Sequence, residues 1–279
     1  MKYDDKDKVE GLTFSATGLA YSYSQTGFPY AKEMWESMVE VLNPDLTKGL
    51  VDEPHPVATR SELIMNAIKD SGITQMVEFA SGWSTHGLHL CKNNPDFKYI
   101  EVLYKNDELG IDEAEEKRQV LANLGEKIGG IPSNYHTIGG DVLDEQTFEQ
   151  VAALLDQKQV AATNVGLMTY FSPEQKEKFA QNVKALLQEF GGKWITQDLR
   201  VTTMHPNIKA ILEKQTGTTV GTFESQEEVD AFLEKVGLEG KFLSDNKVEQ
   251  KLKKVNYDEE RAQAYTKFVS IDVNKGGDK

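Results

Sequence analysis

From Ile73 onward the chain alternates short apolar runs with amphipathic helices, and this alternation restricts its fold more than any other feature. The runs are Ile73 to Ala80, Phe97 to Leu103, Tyr135 to Ile138, Val160 to Met168 and Lys193 to Asp198, with weaker ones at Lys241 to Leu243 and Lys267 to Val273. Strands that take turns with helices build a parallel sheet with crossover connections. The helices between them are well marked. Phe148, Val151, Ala152 and Leu155 recur at i, i+3, i+4 and i+7, a single apolar face that must pack on a sheet. Ser172-Pro173-Glu174-Gln175 joins a capping Ser, a first-turn Pro and a Gln at the third helical position, and Gly191-Gly192 ends the helix it opens. Ser225 to Glu228 reads as a second capping box, closed by Gly237. The expected architecture is α/β: a doubly wound, mostly parallel seven-stranded sheet of Rossmann-like type.

The part before Pro56 reads differently. Ala31, Met34, Trp35, Met38 and Leu42 share a helical face, and Asn43-Pro44 ends that helix. The stretch from Gly49 through Pro56 is a join, after which Leu63, Ile64, Ala67 and Ile68 mark a helix closing near Ser71-Gly72. The expected division is a helical cap or lid over residues 1–55 and a ligand-binding α/β domain over residues 56–279. The Met34, Trp35, Met38 stripe is most simply packing.

Charge and cysteine content narrow the function. A formal charge of −14 over 279 residues repels polyanions, so nucleic acid is not an expected partner. Cys91 is the only cysteine, which excludes an internal disulfide and any multi-thiolate zinc site. No run approaches the ~20 apolar residues that span a bilayer. These features predict a cytoplasmic protein with no membrane partner; oligomeric state is not encoded in any pattern of the sequence. His86 and His89 are three apart on an expected helix but lack a third ligand at suitable spacing, so no metal site is expected.

Open α/β sheets bind ligands beyond the carboxyl ends of their strands. After the first run come Glu78-Phe79-Ala80-Ser81-Gly82-Trp83-Ser84-Thr85, an acid followed by small residues that let a ligand lie against backbone. Glu101 falls about 20 residues after Gly82, the separation at which nucleotide-binding folds place a carboxylate for ribose hydroxyls. After the third run, Gly139-Gly140-Asp141-Val142 offers a carboxylate for an adenine amino group and a backbone amide for a ring nitrogen. Neither G-x-G-x-x-G nor G-x-x-x-x-G-K-[ST] occurs, and nothing basic lies in the first turn. The expected ligand is therefore a nucleoside without phosphates, of which S-adenosylmethionine is the common cofactor.

Several segments carry a resemblance: Thr59-Arg60, Glu78 to Thr85, Tyr99-Ile100-Glu101-Val102 with Lys117 downstream, and Gly166-Leu167-Met168-Thr169-Tyr170-Phe171-Ser172-Pro173. In order and spacing the chain resembles class I S-adenosylmethionine-dependent methyltransferases of the leucine carboxyl methyltransferase-like family, in its bacterial small-molecule O-methyltransferase branch. The resemblance implies that Arg60 clamps the cofactor's methionine carboxylate, with a guanidinium fork suited to that partner. It also implies that Glu78, Ala80 and Gly82 shape the methionine side, that Glu101 takes the ribose, and that Asp141 and Val142 take the adenine. Two positions depart from the family. Its usual Glu-x-Asp at the second strand end is Glu101-Val102-Leu103 here, and its usual Glu-Gly-Leu after the fourth strand is Val165-Gly166-Leu167. Asn164, beside the second vacancy, is the candidate substitute.

The implied activity is methyl transfer to a small-molecule hydroxyl or carboxylate. A carboxylate is ionised near neutral pH and needs no base, whereas a hydroxyl would call on Tyr170 or His205. The alternative is a non-catalytic protein of the same fold that holds a nucleoside or small ligand.

Overall fold

A computed structural model describes residues 17–43, 54–199, 201, 209–210, 213–214, 220–243 and 268–273. Its first described element is helix α1, residues 17–24, followed by α2 (Ala31–Leu42) and α3 (Pro54–Ser71). The sheet and its crossovers follow as β1 (Gln75–Phe79), α4 (His86–Asn93), β2 (Lys98–Leu103), β3 (Lys105–Asn106), β4 (Ile111–Asp112) and α5 (Glu113–Ile128). Next come β5 (Tyr135–Gly139), α6 (Glu145–Leu154), β6 (Val160–Asn164), α7 (Pro173–Phe190), β7 (Gly192–Thr196), α8 (Gln226–Val236), β8 (Gly240–Leu243) and β9 (Phe268–Val273).

Seven strands form one sheet in the order β5-β2-β1-β6-β7-β9-β8. Only β9 runs against the rest, pairing antiparallel with both β7 and β8. The order reverses between β1 and β6, so the crevice at their carboxyl ends is the topological switch point. Strand side chains alternate between two cores. Val77, Phe79, Ile100, Val102, Ala162 and Trp194 point to the face covered by α6, α7 and α8, where Phe148, Val151, Phe179, Val183 and Val229 meet them. Met76, Tyr99, Tyr135, Ala161 and Ile195 point to the opposite face, under Met34, Met38, Leu63, Ile64, Leu88, Val120 and Leu124 from α2 to α5. The doubly wound α/β expectation holds.

The helix signals are read out as hydrogen bonds. Ser172 and Gln175 form the full reciprocal capping box at α7. At α8, Ser225 accepts from Glu228 N, but Glu228 Oε2 accepts from Glu224 N, so that box is only half formed. Other expectations shift. The Val160 to Met168 run stops as a strand at Asn164, because Gly166 takes φ +75° and the chain turns into a 3₁₀ segment over Met168–Tyr170. The β3–β4 hairpin at the end of β2 has no counterpart in the expected elements. Within the expected cap, residues 1–16 and 44–53 lie outside the described residues. The stripe Met34 and Met38 is packing, with Trp35 set edge-on to Tyr21. No helix among the described residues is long and apolar enough to cross a membrane.

Candidate functional site

Four strand ends form the rim of the crevice: Ala80 to Gly82 after β1, Leu103-Tyr104 after β2, Gly139 to Val142 in and after β5, and Asn164 to Leu167 in and after β6. Register places them side by side, with Phe79 opposite both Val102 and Asn164, and Leu103 opposite Gly139. Ala80 is exposed at φ +52° and Gly82 follows at φ +53°. A left-handed non-glycine costs about 1–2 kcal/mol and persists only where its surroundings hold it.

Those surroundings lie directly beneath. Glu78 and Glu101 occupy the same register position on β1 and β2 and the same sheet face, at 5% and 0% exposure. Two carboxylates so placed repel unless each is compensated by its own partners. Glu101 has Lys117, whose Nζ is 3.4 Å from Oε2, while Ser81 Oγ donates to Oε2 at 2.8 Å and Thr137 Oγ1 to Oε1 at 2.7 Å. Glu78 has His86, with Nδ1 3.0 Å from Oε1, together with hydrogen bonds from Tyr99 Oη at 2.5 Å and Ser84 Oγ at 3.0 Å. Burial opposes charge on Glu78, but His86, Tyr99 and Ser84 outweigh it and hold the carboxyl below the usual glutamate range. Burial and then Glu78 push the Tyr99 hydroxyl up, so it stays a donor. α4 lies close enough on β2 that only glycine fits at position 87, where a Cβ would stand 2.1 Å from the Tyr99 ring.

Lys117 also ties the loop itself. Its Nζ donates to Gly82 O at 2.7 Å and Ser84 O at 3.2 Å and stands 5.4 Å from the Trp83 ring centroid. The N-terminal helices dock on the same loop. Thr85 Oγ1 donates to Pro29 O at 2.8 Å and lies 3.4 Å from the Tyr23 hydroxyl. Tyr23 and Phe28 set their rings edge-on to His86.

The loop after β6 is anchored with the opposite sign. The Asp198 carboxylate accepts from the amides of Gly166, Leu167 and Met168 at 2.6, 2.8 and 2.8 Å and from Asn164 Nδ2 at 2.7 Å. Asn164 Oδ1 in turn accepts from Trp194 Nε1 at 2.7 Å.

The expected site residues thus divide. Ala80, Gly82, Asp141 and Val142 stand on the rim. Asp141 Oδ1 accepts from Leu143 N at 2.9 Å, and Val142 buries its side chain in the core. Arg60 is half-buried on α3. Tyr170 is half-buried in the 3₁₀ segment. Glu78, Glu101 and Asn164 lie below the rim, fully engaged with the protein's own side chains. His205 lies outside the described residues. His86 pairs with Glu78, and no group of three metal-ligating side chains occurs among the described residues.

Sequence reasoning missed the Asp198 anchor, and it named Lys117 only as part of the resemblance, without its partners. Lys117 turns inward from α5 to Glu101. The signal was present, since Ala114, Lys117, Leu121 and Leu124 form an apolar helical stripe interrupted by one cation. Asp198 left no comparable signal, because its partners are main-chain amides 30 to 32 residues away.

The sequence matches no family model and no curated protein. Among solved structures the chain is similar to a DUF574 family protein from Streptomyces avermitilis MA-4680, with TM-score 0.53 and 13% identity over 94% of this chain and 97% of that one. It is also similar to a protein of Nostoc punctiforme PCC 73102 described by inference as an O-methyltransferase, with TM-score 0.50 and 13% identity over 96% and 72% of the two chains. At that identity the likeness is one of fold. The architecture is the Rossmann-like methyltransferase fold, with β9 inserted antiparallel between β7 and β8.

Proposed function

We propose that the chain is an S-adenosylmethionine-dependent O-methyltransferase acting on a small-molecule hydroxyl or carboxylate, in the leucine carboxyl methyltransferase-like branch that its motifs resemble. The observation that carries this reading is the loop from Ala80 to Thr85. It puts small residues and two left-handed positions at the switch point, with no basic residue in the turn. Such a surface admits a ligand against backbone and offers no phosphate cradle. S-adenosylmethionine, when bound, supplies an electrophilic methyl group on a sulfonium.

The chain's own residues fit that ligand in part. Arg60 would hold its carboxylate, the loop amides and small side chains would lie along its methionine part, and Asp141 with the Val142 amide would read its adenine. Asp141 is suited because its turn engages one carboxylate oxygen and leaves the other. The ribose is the exception: Glu101 is committed to Lys117, Ser81 and Thr137, and Leu103 is buried at the strand end where the family has an acid. We therefore assign Glu101, Glu78 and Asn164 to holding the rim rather than to touching the ligand. Transfer proceeds in line, so the protein's work is to bring two bound groups together and exclude water. For a hydroxyl acceptor, Tyr170 and His205 are the groups proposed to accept its proton; a carboxylate requires neither.

Isothermal calorimetry with S-adenosylmethionine and its demethylated product tests the reading. Both should bind, and no heat from either at high micromolar concentration would reject it. The missing ribose acid favours one alternative, a non-catalytic nucleoside-binding protein of the same fold. Binding without transfer of labelled methyl to any small-molecule hydroxyl or carboxylate would support that alternative.

A further inference from the structure

We propose that Lys117 is a positioning residue, whose buried ammonium fixes the strained loop 80–85 in the conformation that turns the Trp83 N–H toward the ligand. This rests on the methyltransferase reading for the identity of the ligand but not for the loop geometry. An ammonium has three hydrogens and no acceptor. Here two of them go to Gly82 O and Ser84 O, and the Glu101 carboxylate stands at ion-pair distance, 3.4 Å from Nζ. A trans peptide points its C=O and the next N–H to opposite sides. Drawing Gly82 O down to Lys117 therefore turns the Trp83 N–H up and away from the core, and nothing among the described residues accepts from it. Ser84 O, drawn to the same ammonium, leads directly into Thr85, whose hydroxyl donates to Pro29 O and lies 3.4 Å from the Tyr23 hydroxyl of α1. One cation thus sets both the amide offered to the ligand and the seat of the N-terminal helices.

The need for such a device follows from Ala80. In a glycine-rich turn the left-handed conformation is free, but Ala80 has a Cβ and adopts φ +52°. A strained residue persists only where its neighbours over-determine it. They do so here: Ala80 N donates to Val102 O at 2.8 Å, and Ser81 Oγ donates to the same Glu101 oxygen that faces Lys117. Glu101 is then the counter-ion that makes a buried ammonium tolerable, not a ligand contact.

The test compares the full-length wild-type chain with Lys117→Met and the double variant Lys117→Met/Glu101→Gln. Each is measured for thermal unfolding, for acrylamide quenching of Trp83 fluorescence taken as the difference from its Trp83→Phe counterpart, and for S-adenosylmethionine affinity. Lys117→Met should lose stability because Glu101 is left unpaired. The double variant should regain stability, and serves if the single variant fails to fold. It should nonetheless keep Trp83 more open to quencher and bind the cofactor weaker by about tenfold. A double variant with wild-type quenching would overturn the proposal, since Lys117 would then only neutralise Glu101. If the wild type binds no S-adenosylmethionine, the functional reading fails while the quenching comparison still decides the role of Lys117.

Discussion

The loop after β1 and the loop after β6 solve one problem with opposite charges. Both turn sharply at a strand's carboxyl end on either side of the switch point, and both use few glycines. The first is held through its carbonyls by the Lys117 ammonium; the second is held through its amides by the Asp198 carboxylate. The sign of the anchor decides what the backbone has left. On the proposal above, the cation-anchored loop keeps the Trp83 N–H for the crevice, whereas the anion-anchored loop has spent three amides on Asp198. The β1 loop is therefore the side suited to a ligand's acceptor atoms, and the β6 loop is a wall.

Removing the first anchor should have the largest effect. Lys117→Met strands a fully buried carboxylate and should cost about 3–5 kcal/mol in urea unfolding. Asp198→Ala leaves three amides and Asn164 without their acceptor, a loss of about 2–3 kcal/mol by the same measurement. Equal costs in both variants with no change at Trp83 would erase the contrast between the loops. Acid separates them further. Glu78 has a folded value below its unfolded one, so its contribution is complete above the ordinary glutamate range near pH ~4.3 and is lost as pH falls through the depressed folded value. Glu78→Gln should flatten that acid limb in a pH series of melting curves, and a limb of unchanged steepness would remove Glu78 from the account. Ala80→Gly should relieve left-handed strain and gain up to about 1 kcal/mol, partly offset by the freer unfolded chain. A loss instead would mean that the Ala80 methyl packs usefully. Arg60→Ala should leave the fold largely intact and weaken S-adenosylmethionine binding about tenfold in calorimetry; unchanged affinity would move the carboxylate clamp elsewhere.

Sheet and crossovers were legible because burial imposes periodicity, as Phe148-Val151-Ala152-Leu155 shows, and because Ser172 to Gln175 specifies a helix start by local chemistry. The rim could be placed for the same reason: Ala80, Gly82 and Asp141 follow directly from strand ends. What escaped was partnership across the fold. Glu101 looks identical in sequence whether it faces a ribose or an ammonium, and only the turn of α5 that brings Lys117 inward distinguishes the two. Asp198 reads as the tail of a strand until β7 is laid beside β6. The β3–β4 hairpin escaped because two-residue strands leave no periodic trace.

The placement of β9 bears on how the polypeptide is made and handled. Its Phe268, Ser270 and Ile271 are buried between β7 and β8, and β8 has no other neighbour in the sheet. On the ribosome, β8 must wait without a docking edge until residues 268–273 have emerged from the exit tunnel. A truncation just before Phe268 accordingly strips two strands, not one, and bares the flank of β7 to aggregation.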